Sequence, residues 1–292
     1  MALHGKQLGA GDSSGETQAY ARRVSIRPIQ GWHFLEWREI WAHRELLWVF
    51  AWREIKVRYK QTLLGIVWAM LQPFLTMIVF SVVFGHFGKI PSDGVPYPLF
   101  TFAALLAWQV FAFGLTQSSS SLVANQQLLT KIYFPRIIIP IAAVLPGFLD
   151  FAFASLVFIG LMVYYGVVPT MTIVMLPVFV LLAAIAALSI GLWLSAINVR
   201  YRDVRHLLPF LTQLWFYGTP IAYSTSIVPE RWHLLFGLNP MVGVVDGFRW
   251  ALLGAGPFPF RLLLLSLLVT GGLLLGGLVY FTHSEGSFAD TV

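Results

Sequence analysis

Of 292 residues, 58% are hydrophobic and only 11% charged, against roughly 25% charged in an ordinary soluble domain, so the composition is that of an integral membrane protein. The absence of cysteine excludes disulfides, cysteine nucleophiles and cysteine-ligated zinc or iron–sulfur sites. The net charge of +6 does not point to nucleic acid: ten of the 19 Lys and Arg residues precede Thr62, beside membrane-bound sequence, where anionic lipid and topology account for them.

Taken in order, residues 1–30 are rich in Gly, Ser and small polar residues, with no apolar run that could serve as a signal-peptide core, and read as a disordered cytoplasmic tail. Residues 31–61 are aromatic and charged together. Trp32, Trp37, Trp41, Trp48 and Trp52 alternate with Arg38, Glu39, Arg44, Glu45, Arg53 and Glu54. Trp48, Trp52, Ile55 and Tyr59 fall on one helical stripe with Arg53, Lys56 and Lys60 to its side, which predicts an amphipathic helix lying in the headgroup plane. Phe50 and Val57 fall off the stripe and are expected to face another protein instead of lipid.

From Leu63 to Phe87 only Gln72 and His86 are strongly polar, the profile of a first transmembrane helix behind a basic collar. Further spans are predicted from Leu99 to Val123, from Ile137 to Tyr165 with bends at Pro140 and Pro146, from Thr172 to Ile197, from Leu207 to Tyr223, a short one interrupted by Pro209, Gly218 and Pro220, and from Phe260 to Phe281. Residues 226–256 are apolar but are cut by Arg231, Gly237, Asn239, Pro240, Asp246 and Arg249. The piece Met241–Leu253 would reach only about 20 Å at ~1.5 Å per residue, short of a ~30 Å hydrocarbon core. It therefore predicts a re-entrant helical hairpin beside a partly hydrated vestibule. The expected organisation is all-α: a transmembrane domain over 62–282 with six spans, then a cytoplasmic tail over 283–292. Fifteen of the 19 cations lie in the amino-terminal region or in the loops around Lys131 and Arg136 and around Arg200, Arg202 and Arg205, which predicts that both termini are cytoplasmic.

Several stretches together resemble a known family. ELLWVFAWREIKVRYKQTLLGIVWAMLQP (Glu45–Pro73), LLTKIYFPR (Leu128–Arg136), NVRYRDVRHLLPFLTQLWFYGTPIAY (Asn198–Tyr223), LNPM (Leu238–Met241) and FAD (Phe288–Asp290) are similar, in order and spacing, to the permease subunits of ABC-2 type polysaccharide exporters. The resemblance implies a homodimer in the inner membrane with two copies of a nucleotide-binding ATPase, moving a lipid-linked polysaccharide of the O-antigen, capsule or teichoic-acid type out of the cytoplasm. ATP and its magnesium would be held by the partner. This agrees with the sequence, which contains no G-x-x-x-x-G-K-[ST] phosphate loop, so no catalytic site and no cofactor are expected on this chain.

The same resemblance assigns Gln126, Lys131, Tyr133, Phe134, Pro135 and Arg136 to an ATPase-coupling element, with Phe134 as an apolar plug, and Arg200, Arg202 and Asp203 to a second contact. An ordinary basic inner loop is the alternative in both places. Arg53, Lys56, Arg58, Tyr59 and Lys60 are candidates for the lipid headgroup, since cations there could pair with phosphate oxygens. Sugar faces stack on rings, which makes Trp108, Phe111, Trp215, Tyr217 and Tyr223 candidate channel aromatics, set against lipid-facing or core roles. Asn239 and Pro240 would break the hairpin and Asp246 and Arg249, at i and i+3, would form an ion pair within it, the hairpin serving as an outer gate. Asp150 is the only acidic residue inside a predicted span; a proton site and a buried hydrogen bond to a neighbouring helix are the two readings. Two further functions stand beside polysaccharide export: an ABC-2 permease for lipids or drugs, and a membrane-embedded polyprenyl-sugar or acyl transferase. Against the transferase, the six aspartates are never close enough in sequence to pair, and no set of residues has metal-ligand spacing.

Overall fold

The computed structural model describes residues 41–60, 63–129, 134–201, 203–286 and 288, with only the backbone of 63 and 64. The expected tail at 1–30, Trp32 and Trp37, and residues 287 and 289–292 of the expected 283–292 tail lie outside the described residues. Those described form helices and loops, with no strand among them.

Helix α1 (Arg44–Lys60) leads to α2 (Leu63–Phe80), which a π-helical turn extends over Ser81–Phe87. The long α3 (Tyr97–Ala124) follows, then the single turn α4 (Gln126–Leu129). The next apolar stretch is split into α5 (Ile138–Val144) and α6 (Pro146–Tyr165), because Pro146 cannot donate the hydrogen bond that would continue the first helix. A 3-10 turn (Met171–Met175) opens α7 (Leu176–Arg200), and α8 (Val204–Gly218) comes next. Two short turns and α9 (His233–Gly237) precede α10 (Pro240–Leu253) and α11 (Phe260–Glu285).

Among the described residues, five segments are long and apolar enough to cross a membrane: Gly65–Phe87, Tyr97–Ala124, Ile138–Tyr165, Met171–Arg200 and Phe260–Glu285. The stretch expected as a span at Leu207–Tyr223 differs. Helix α8 has 15 residues and stops at Gly218, because Pro220 biases the residue before it away from helical geometry, and Thr219 is extended at φ −101°, ψ 140°.

Helix α3 is the axis of the molecule, buried from Leu99 through Leu122 on most of its faces. It is covered by α7, α2, α5, α6 and α10. Close approach to α7 depends on small residues: a Cβ on Gly114 would come within 2.9 Å of the Ala187 methyl, and one on Gly191 would overlap the Ser118 hydroxyl at 1.8 Å. Leu122, Ile138, Val199 and Phe281 share one cluster with Phe50 and Phe134. The ends of α3, α7 and α11 and the start of α5 therefore meet at one end of the bundle, the basal end. Tyr97 and Phe100, at the start of α3, mark the distal end.

Candidate functional site

The basal end is where most of the sequence-derived candidates converge. Helix α1 packs on the bundle through Leu47, Phe50, Ala51, Glu54 and Arg58, spaced so as to form one helical stripe. Trp48 and Trp52 lie on the neighbouring face, exposed, with their rings stacked at 6.3 Å between centroids. Phe50, expected to face another protein, is instead buried against this chain: its ring sits 5.6 Å from Phe134. Val57, of which the same was expected, is exposed on this chain.

The cations of α1 fall into two groups. Arg58 donates to Asp150 at 2.6 Å, Tyr59 donates its hydroxyl to the other oxygen of the same carboxylate, and Asp150 is 1% exposed. Of the two readings of Asp150, the hydrogen-bonded one is what the structure displays. The acceptor's partners come from α1, more than 90 residues away in sequence. Burial, and then the hydrogen bond to Asp150 and its charge, push the Tyr59 phenol above its ordinary value, so it remains a donor. Arg53 is held by Glu54 at 2.6 Å and by the Asn125 amide oxygen. Lys56 and Lys60 are exposed, with the Lys56 ammonium 5.5 Å from the Trp52 ring. Two of the four candidate headgroup cations thus hold α1 to the bundle, and two face outward.

In the coupling segment, Gln126 is half-buried at the start of α4. Lys131 and Tyr133, like Arg202, lie outside the described residues. Phe134 is not an exposed plug in this chain: it is 5% exposed, because Phe50 and the apolar residues around Ile137 offer it a closed site. Pro135 follows it at the turn into α5. Arg136 reaches the carboxyl end of α11, where its side chain donates to the Glu285 carbonyl, its backbone N–H to the Glu285 carboxylate at 3.1 Å, and its guanidinium lies 5.9 Å from the Phe288 ring. Arg200 and Asp203 are exposed between α7 and α8.

The channel aromatics require a correction. Trp108 and Phe111 are buried, and with the half-buried Trp215 they form a continuous ring cluster joining α3 to α8, at 5.3 Å between Trp108 and Phe111 and 5.2 Å between Phe111 and Trp215. They pack inside one chain, since aromatic pairs gain more from each other than from exposure. Tyr223 is half-buried, 6.2 Å from Phe236, and its carbonyl is used by Arg249. Tyr217 alone of the five is exposed.

At the distal end, Asn239 does more than break the chain. Its side-chain oxygen caps α10 by accepting from the Met241 N–H at 2.9 Å and also accepts from the Trp215 indole at 2.8 Å, while its amide donates to Gly218 and Thr219. Pro240 occupies the first turn of α10, where its missing N–H costs nothing. Asp246 and Arg249 do pair, at 3.6 Å. Arg249 also donates to the carbonyls of Phe100, Ile221 and Tyr223, and its guanidinium sits 3.5 Å above the Phe100 ring. Thr225 donates to Asp246 at 2.7 Å, and Ser224 and Ser226 donate to Asp93 in the α2–α3 loop. One buried cation therefore ties α10, the start of α3 and the irregular stretch of chain after α8. Spacing alone could show the Asp246–Arg249 pair; the carbonyl partners are supplied by backbone that bends only in the folded chain.

The profile of the ABC-2 type transporter family matches residues 45–253. An O-antigen export system permease protein, RfbA, of Myxococcus xanthus is 33% identical over 215 residues, covering 73% of this chain and 82% of the relative. An O-antigen export system permease protein RfbA of Klebsiella pneumoniae is 28% identical over 248 residues, covering 84% of this chain and 94% of the relative. A polysialic acid transport protein, KpsM, of Escherichia coli is 23% identical over 209 residues, covering 69% and 78%.

Proposed function

We propose, since the chain belongs to the ABC-2 type transporter family, that it is the membrane permease of an ATP-driven exporter carrying a lipid-linked polysaccharide from the cytoplasm across the inner membrane. The observation that carries this reading is the match, over 73% of the chain, to a permease of O-antigen export. In this reading hydrolysis falls to a partner ATPase, two copies of which would serve a homodimer of this chain.

A sixth crossing by α8 and the residues after it is part of the proposal. Asn198, at the end of α7, donates to the Ser119 carbonyl near the basal end of α3, whereas Ile221 and Ala222 bond to Arg249 and Tyr97 at the distal end. Between those anchors the chain travels most of the length of α3, whose stretch from Phe100 to Ser119 rises about 28 Å at ~1.5 Å per residue. Six crossings return the carboxyl end of α11 to the side of α1, as the distribution of cations requires. The segment after α8 up to Leu253 then re-enters the membrane from the outer face, latched by Arg249.

The exposed faces of α2 and α8, in contact through Phe80 and Phe216 at 5.7 Å, carry Gln72, Gln213 and Tyr217. Polar side chains facing hydrocarbon are costly, which supports a hydrated pathway on this side, closed by the second copy. Tyr217 is its candidate stacking ring. At the basal end, Lys56 and Lys60 would meet the lipid diphosphate, and Gln126, Pro135, Arg200 and Asp203 the ATPase. The reading is tested by reconstituting the permease with its ATPase: lipid-linked glycan should stimulate hydrolysis, and a cell lacking the permease should retain the glycan on the inner leaflet. Hydrolysis indifferent to the glycan, with the glycan still reaching the cell surface in the deletion strain, would overturn it.

A further inference from the structure

Between α1, the basal half of α3 and the α5–α6 break lies a cavity of about 310 Å3, whose walls include Glu54, Arg58, Phe113, Gln117, Ser120 and Asn125. That volume is at the lower end of small-molecule sites. The α3 wall comes from the run Thr116–Ser121, TQSSSS, an unusually polar stretch for a helix at this depth. Most of its hydroxyls are turned back onto the helix: Thr116 donates to Ala112, Ser118 and Ser119 to Leu115, and Ser121 to Ser118. The Gln117 amide and the Ser120 hydroxyl are different. They stand at i and i+3 on the cavity side and make no hydrogen bond among the described residues. Polar groups placed in a wall without protein partners are stable there only if water or a ligand bonds them.

The charges of the wall are already balanced. Arg58 is paired with Asp150, and Arg53 is paired with Glu54 and bonded to Asn125. This disfavours a free anion and favours a neutral ligand able to accept and donate many hydrogen bonds at once. Phe113 supplies an apolar surface. Arg58 lies 4.5 Å from its ring, and the ring is seated on Gly147, where a Cβ would approach its edge to 2.8 Å. Amide, hydroxyl, carboxylate and guanidinium groups beside an aromatic ring match the alternating hydroxyl and C–H surfaces of a sugar.

We infer that this cavity is a saccharide subsite, taking a short segment of the glycan next to α1, with Gln117 and Ser120 as the hydrogen-bonding groups it leaves open to a ligand and Phe113 as its apolar wall. The identity of the sugar as part of the exported chain rests on the export reading above; the subsite itself does not.

The test uses the permease–ATPase complex in lipid nanodiscs and, as probe, the water-soluble oligosaccharide released by mild acid from the producing cell's own lipid-linked glycan. Saturation-transfer NMR should report contact with the wild-type complex. Gln117→Ala should raise the Kd about tenfold, the equivalent of one to two hydrogen bonds at 1.4 kcal/mol per decade. Ser120→Leu, which fills the cavity, should abolish contact; Ser120→Ala serves if the larger side chain does not fold, and should weaken binding several-fold. Variants that bind the saccharide as the wild type does, or a wild type giving no contact, would overturn the inference. So would displacement of the saccharide by inorganic pyrophosphate, which would make the cavity an anion site. ATPase stimulation by the intact lipid-linked glycan is read in parallel. A complex that is not stimulated, from a strain whose deletion still carries the glycan at its surface, yet loses the saccharide on Ser120→Leu, keeps the subsite and sinks the export reading; a stimulated complex whose variants bind normally sinks the subsite alone.

Discussion

Replacing Asp150 with Ala removes in one step the acceptor of both Arg58 and Tyr59. A hydrogen bond to a charged group contributes ~1.5–3 kcal/mol, so the pair sets an upper bound of about 6 kcal/mol. The Arg58 side chain is 34% exposed and borders the cavity, so once released it regains solvation, and the net loss falls near the low end, about 3 kcal/mol. Asp150→Asn keeps an oxygen for Tyr59 but loses the charge, at about half that cost. With ~2–4 °C of melting temperature per kcal/mol for a chain of this size, Asp150→Ala should lower the Tm of the detergent-purified permease by about 6–12 °C and Asp150→Asn by about 3–6 °C. Fluorescence-detected size exclusion after heating measures both. Arg58→Ala should add little in the Asp150→Ala background, because the two residues share one interaction. Strictly additive effects would refute the pairing. So would an Asp150→Asn protein that melts within ~2 °C of wild type but no longer transports, the signature of a carboxylate that works by carrying a proton.

Arg249→Met should cost about 3–5 kcal/mol, since it strands three backbone carbonyls and Asp246 together, whereas Arg249→Lys should recover part of the loss; thermal melting separates the two. Gly243→Ala should destabilise strongly, because its Cβ would lie 2.7 Å from the Leu262 carbonyl and the Leu263 Cα, both backbone atoms. Gly160→Ala, with nothing within 4 Å, should instead be neutral or stabilising by about 0.5–1 kcal/mol, and equal behaviour of the two would contradict the packing. Phe134→Ala should lower the melting temperature of the permease purified without its ATPase, by the ~3–5 kcal/mol that a buried ring contributes; a loss seen only in the assembled complex would mean that the ring serves the partner alone.

The long apolar runs were legible from composition because a bilayer leaves the backbone few ways to satisfy its hydrogen bonds, and the helices at 65–87, 97–124, 138–165, 171–200 and 260–285 fall where hydropathy puts them. The stretch Leu207–Tyr223 was legible as short and interrupted by Pro209, Gly218 and Pro220, but which of the three ends the helix was not: the helix runs through Pro209 and stops at Gly218, ahead of Pro220. The cluster of Trp108, Phe111 and Trp215 shows a different limit. An aromatic suited to stacking on a sugar is equally suited to stacking on another aromatic, and nothing local tells them apart. Phe134 was misplaced for a similar reason, its partner Phe50 being 84 positions away.

By itself, then, the sequence determined the solvent of each segment, the balance of cations between its loops and its family, because hydrophobicity, charge and motif order are properties of residue type. The tertiary structure alone decided which charges are committed. Arg53 and Arg58 look like Lys56 and Lys60 in the sequence, yet the first two are paired with Glu54, Asn125 and Asp150 while the lysines face outward. It also left Gln117 and Ser120 without protein partners beside a cavity, in a run where neighbouring hydroxyls bond their own helix. Pairing and vacancy depend on distances between segments far apart in the chain, and those distances exist only once the helices have packed.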